Sequence, residues 1–122
     1  MQFYDWNSAE HSTTDGYGRS VAIGKNIMMA HVELQAGAVT AAHSHEHEEI
    51  YYVVKGKWRV RLGDEEMVLE ANQSVIVPPG VEHSSEAIED TVAVVSTNYR
   101  PEWRENTDYW LHYNAENHLW AV

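Results

Sequence analysis

The stretch "GAVTAAHSHEHEEIYYVVKG", residues 37–56, places three histidines and three glutamates in seven positions, 43–49, directly ahead of an apolar run. In an extended chain successive side chains point to opposite faces, so His43 and His45 share one face and Ser44 and Glu46 take the other. If the chain keeps its direction, Glu49 and Tyr51 fall on the His43 face. Two imidazoles and a carboxylate converging in this way fill three positions of a divalent metal and leave others open. A fourth ligand has to come from elsewhere in the chain, and His83, just after the "PPG" of residues 78–80, is the best placed.

Outward from this stretch the pattern is one of short strands. The segments "SVAIG", "IMMAHVEL", "EIYYVVKG", "KWRVRLG", "EEMVLEA", "QSVIVP" and "TVAVVSTNY" are apolar runs bounded by Gly, Asn, Asp or Pro, without a sustained helical period. Seven or more such strands predict an all-β sandwich or barrel around one core. Within "KWRVRLG", Trp58, Val60 and Leu62 fall on one face, which sends Arg59 and Arg61 outward or to a dimer interface.

The ends read differently, so the chain divides into an N-terminal arm (1–20), a barrel (21–100) and a tail (101–122). Residues 101–122 hold Trp103, Trp110 and Trp120, three of the five tryptophans, and exposed Trp is unfavourable enough that these are expected to pack on the barrel, a partner or a cavity mouth.

Composition narrows the function. Eight basic residues against nineteen acidic give a formal charge of −11, which repels phosphate backbones and anionic membrane surfaces. No nucleic-acid or membrane partner is expected, and the partner is a small-molecule substrate. With no cysteine, thiolate sites and disulfides are excluded, so a metal must use N and O ligands. The first ten residues show no signal-peptide pattern and no segment could span a bilayer as a helix, so a cytoplasmic protein is expected.

The spacing also carries a family resemblance. Gly37, five residues, His43, one residue, His45, three residues, Glu49, six residues and Gly56 match the first cupin motif. "NQSVIVPPGVEH" resembles the second, with Pro78, Gly80 and His83 at the expected offsets. The second motif's usual leading Gly is Asn72 here, the non-Gly residue that best tolerates positive φ, and its common Asp is Gln73. The resemblance implies a double-stranded β-helix, a jelly-roll barrel, with a metal held inside by His43, His45, Glu49 and His83. Iron, manganese, nickel, zinc, copper and cobalt all occur on such ligands, so the set does not name the metal. His47 falls off the ligand face. His11, His31, His112 and His118 have no such partners and read as surface or packing residues.

Among cupins the chain looks most like the small single-domain KdgF-like group, in its length, its "GKNIMMAHVELQAGA" approach and its "NYRPEWR" exit. That resemblance implies a ketonisation of an unsaturated uronate at a metal centre. Two departures stand out: the group's carboxamide ligand is Glu49, and its acidic residue on the last strand is Thr97. Tyr51 shares parity with Glu49, and Tyr99 and Arg104 match the group's aromatic and basic positions, so these three are the candidate catalytic residues. Arg100 joins Arg104 as a candidate for meeting a substrate carboxylate. The expected activity is Lewis-acid catalysis on a sugar acid or keto acid by an isomerase, cyclase or lyase. The alternatives are an iron- or nickel-dependent dioxygenase of the quercetin or diketone type, which uses the same ligands, and a non-catalytic binding protein. Open sheet edges, the arm and the Trp-rich tail favour a homodimer.

Overall fold

The computed structural model describes residues 1–7, 12–14 and 16–98. Within them ten strands and no helix are found: β1 (Ser12–Thr14), β2 (Tyr17–Ile23), β3 (Ile27–Leu34), β4 (Val39–His43), β5 (Glu49–Lys55), β6 (Lys57–Leu62), β7 (Glu65–Glu70), β8 (Ser74–Val77), β9 (His83–Ala87) and β10 (Thr91–Asn98). They form two antiparallel sheets, ordered β1-β2-β3-β10-β5-β8 and β4-β9-β6-β7. This is the all-β architecture expected from the strand pattern, in the jelly-roll form that the family resemblance implies.

Alternation sets the core. Along β3, Met28, Ala30, Val32 and Leu34 are buried; along β10, Thr91, Ala93, Val95 and Thr97 are. The register carries the pattern from strand to strand, with Val32 opposite Ala93 and Ala30 opposite Val95. The four-stranded sheet answers with Trp58, Val60, Leu69 and Ala87. Trp58 of β6 stacks on Tyr51 of β5, centroids 4.6 Å apart, and so ties the two inner faces together. Burying side chains of this size contributes about 1.5–3 kcal/mol each.

Two backbone positions explain motif residues. Gly56 sits at φ 102°, and a Cβ there would overlap the Asp90 carbonyl and Thr91, so the turn between β5 and β6 requires glycine. Asn72 adopts φ 66° and is the one non-glycine residue with positive φ among those described. Its side-chain oxygen also accepts a hydrogen bond from the Tyr52 hydroxyl, so Asn does the work of the usual glycine and adds a tether.

The barrel begins earlier than the apolar pattern indicates. Tyr17 and Arg19 precede the predicted first strand, yet both lie in β2, opposite Leu34 and Val32, with their residues buried. The apolar pattern does not show β4 and β9, because "VTAAH" and "HSSEA" are short and largely polar. Arg59 faces outward as alternation requires, 3.1 Å from Glu66 and 3.5 Å from Glu86. Trp103, Trp110, Trp120, His11, His112 and His118 lie outside the described residues, as does the tail division at 101–122.

Candidate metal centre

The strand pairing brings the two motifs together. His43, at the end of β4, pairs directly with His83, at the start of β9, across an irregularity in the register. Glu49 opens β5 on the facing sheet, between Val77 of β8 and Thr97 of β10. His45 reaches the same space by another route than strand alternation. It lies in the loop between β4 and β5, whose backbone is pinned when the Gly80 N–H donates to the His45 carbonyl at 2.8 Å. The Pro-Pro-Gly turn thus holds the His45 loop in place while it delivers His83.

Donor atoms of His43, His45 and His83 all lie within 4.8 Å of one another. Each ring is oriented by a backbone carbonyl: His43 Nδ1 lies 2.8 Å from Ala41 O, His45 Nδ1 2.8 Å from His47 O and His83 Nδ1 2.8 Å from Val81 O. A carbonyl can only accept, so each Nδ1 carries the proton, and in the neutral ring Nε2 carries the lone pair. All three Nε2 atoms are buried. Glu49 is 0% exposed, and its Oε1 lies 2.9 Å from His45 Nε2 and 3.8 Å from His83 Nε2. Neither carboxylate oxygen accepts a hydrogen bond among the described residues.

A carboxylate this deeply buried is costly without compensation. Three imidazole lone pairs beside it form a donor set for one cation: bonds of ~2.0–2.2 Å place donors ~3–4 Å apart around an ion. His43, His45 and His83 therefore fit a divalent metal, and Glu49, 2.9 and 3.8 Å from two of them, stands beside the set as the expected fourth ligand. His47 contributes its carbonyl to the tautomer of His45 and stands outside the triad.

The remaining candidates are placed as follows. Tyr51 is the next inward position after Glu49 and is buried against Trp58, which gives its ring a packing role. Tyr99, Arg100 and Arg104 lie outside the described residues. His31 turns to the outer face of its sheet and stacks on Trp6, centroids 5.4 Å apart. Arg19 was assigned to the arm but is an interior cation, 4% exposed. Burial pushes the neighbouring Tyr17 hydroxyl well above the ordinary phenol range; the Arg19 charge pulls it down and the Glu49 charge adds to the rise. The signal that could have found both residues is the alternation Tyr17, Arg19, Val21, Ile23, which runs backwards unbroken from the predicted strand. A groove of about 480 Å³ lies on the outer face of the six-stranded sheet beside Gln2 and Tyr4, lined among others by Ala22, Ile27, Met29, Ile50 and Ser96, and none of the four metal-site residues lines it.

Fold and donor set together define a small jelly roll with a candidate metal site, and residues 30–97 match the Cupin domain family. The chain belongs to that family. It is similar to KdgF from Halomonas sp., at 27% identity over 81% of this chain and 95% of that one, with a TM-score of 0.77. A similar structure is an RmlC-like cupin from Shewanella frigidimarina, at 24% identity, 85% and 96% coverage and a TM-score of 0.78. A Streptomyces coelicolor protein of undescribed function is 28% identical over 77% of this chain and 90% of its own length. No helix among the described residues is long and apolar enough to cross a membrane.

Proposed function

We propose that this cupin is a metal-dependent enzyme acting on a small oxygenated acid, a sugar acid or keto acid, as an isomerase, cyclase or lyase. The observation that carries this reading is the set of three carbonyl-locked imidazoles beside a buried carboxylate that accepts no hydrogen bond among the described residues. A bound divalent metal supplies Lewis acidity there, drawing electron density from a carbonyl or enol oxygen. His43, His45, His83 and Glu49 hold it, and the all-N/O donor set suits iron, manganese, nickel, zinc, copper or cobalt.

The chain's own residues do the rest. The apolar inner walls exclude water, and Arg19 places a positive charge inside the barrel of a strongly acidic protein, which favours an anionic substrate. Tyr51, Tyr99 and Arg104 are the candidates for proton transfer and carboxylate binding. The similarity to KdgF supports the ketonisation of an unsaturated uronate as the first substrate to try, in a cytoplasmic setting. Thr97 in the place of that group's acid means that a proton donor must come from another residue.

Elemental analysis of untagged protein, followed by turnover assays with unsaturated uronates and 2-keto acids, tests the proposal. Stoichiometric metal with turnover and no oxygen uptake supports it. Iron or nickel with oxygen uptake replaces it with a dioxygenase, and ligand binding without turnover replaces it with a binding protein.

We also propose a homodimer formed through the outer face of the six-stranded sheet. Ile50, Tyr52 and Val54 of β5 and Ile76 of neighbouring β8 are exposed there as an uncharged cluster, with Met29 two strands away on β3. Two copies carrying −11 each approach at least electrostatic cost through such a face.

A further inference from the structure

The N-terminal arm crosses the outer face of the six-stranded sheet. Tyr4 stacks on Trp6 and Trp6 on His31 of β3, with centroids 5.9 and 5.4 Å apart. This places Gln2 and Tyr4 beside the outward row Ala22, Met29, Ser96 and Ile50, so that the row forms the floor of the groove of about 480 Å³ and the arm forms one wall. Ile27, Met29, Ile50 and Tyr4 are all exposed in it, Ile27 by 72%. Single exposed apolar residues need no explanation, but apolar side chains gathered in one groove mark a place of contact.

The chain itself supplies an occupant. β10 ends at Asn98, and Ser96 and Asn98 both line the groove, so residues 99–122 start from its rim. They lie outside the described residues and contain Trp103, Trp110 and Trp120. Trp103 is the first of these, five residues past Asn98, a span that reaches at most about 17 Å. Charge agrees with this docking: Arg100 and Arg104 flank Trp103, and Glu48 is the one charged side chain that lines the groove among the described residues. A tether this short presents Trp103 to its own groove at a far higher effective concentration than to the groove of a second copy.

We infer that Trp103 seats in this groove of its own barrel, with its indole over Met29 and against the Tyr4 ring. An apolar floor, an aromatic wall and a rim of Gln2, Ser96 and Asn98 suit an indole, which buries a broad apolar face and needs one acceptor for its N–H. The docking is independent of the metal centre, and it leaves Tyr52, Val54 and Ile76 to the proposed dimer face.

Tryptophan oxidation of the full chain, read residue by residue by mass spectrometry, provides the test. Trp103 should be oxidised several-fold more slowly in the parent than in Met29→Arg, which fills the groove, while Trp58 stays protected in both as the sign of an intact barrel. Equal oxidation of Trp103 in the two proteins overturns the inference, and so does protection that falls on Trp110 or Trp120 in its place. The chain has no cysteine, so an introduced pair then reports whose groove is filled. Ile27→Cys at the groove with Glu102→Cys beside Trp103 should close a disulfide within one chain under mild oxidation. Met67→Cys, exposed on the four-stranded sheet, should not close with Glu102→Cys. A disulfide between two chains would assign Trp103 to the groove of a second copy and overturn docking on its own barrel, as would equal closure from Ile27→Cys and Met67→Cys.

Discussion

The two sheets share one interior and differ outside. The six-stranded sheet supplies Glu49 and Thr97, the four-stranded sheet supplies His43 and His83, and the loop between β4 and β5 brings in His45. On its outer surface the four-stranded sheet carries Lys57, Arg59, Glu66, Glu70 and Glu86, paired across its strands. The outer surface of the six-stranded sheet carries Ile50, Tyr52, Val54 and Ile76 instead, the last 56% exposed. One outer face is charged and the other largely apolar. The centre of the molecule is thus a joint property of both sheets, whereas the proposed association involves one alone.

The largest expected effect breaks what the sheets share. His83→Ala removes a donor from the four-stranded side, and metal affinity should fall by more than about 100-fold, beyond what loss of an outlying support costs; isothermal titration with zinc would show it. His47→Ala keeps the carbonyl that orients His45 and should leave the metal bound. Protons compete with metal for the imidazole lone pairs, so the metal should also leave as the pH falls through the imidazole range near ~6.5. Metal retained stoichiometrically well below that range would contradict the histidine centre.

Next comes the contact between the inner faces. Trp58→Ala removes the ring that stacks on Tyr51 and should cost ~3–5 kcal/mol in urea unfolding. Ile50→Lys addresses the difference outside: it should convert a dimer to a monomer by light scattering at micromolar concentration while changing unfolding of the barrel by less than about 1 kcal/mol. A parent that is already monomeric removes the dimer proposal. The smallest effect is expected on the charged face, where Arg59→Ala breaks two exposed ion pairs and should cost ~0–1 kcal/mol.

The sequence made one of these faces readable and left the other partly hidden. β3 and β5 show strict alternation, and the spacing of His43, His45, Glu49 and His83 pointed to the centre without any coordinates. His45 was expected through strand parity and arrives instead on a loop, because only a tertiary bond from Gly80 fixes that loop. β4 and β9 are polar and short, and it is pairing with their neighbours that makes them strands. That Thr97 stands opposite Glu49 depends on the register of β5 and β10, which pairs positions 49 and 97 across the sheet and which no local pattern records. Arg19 was hidden by the ordinary expectation that arginine faces water.

The three histidine rings are aimed by carbonyls of Ala41, His47 and Val81, a group that every amino acid possesses. Substitution at those three positions cannot delete the aiming group so long as the backbone path survives. A lineage carrying this barrel is therefore free to remodel the side chains around its histidines, and to explore new substrates, without first losing the orientation of the ligands.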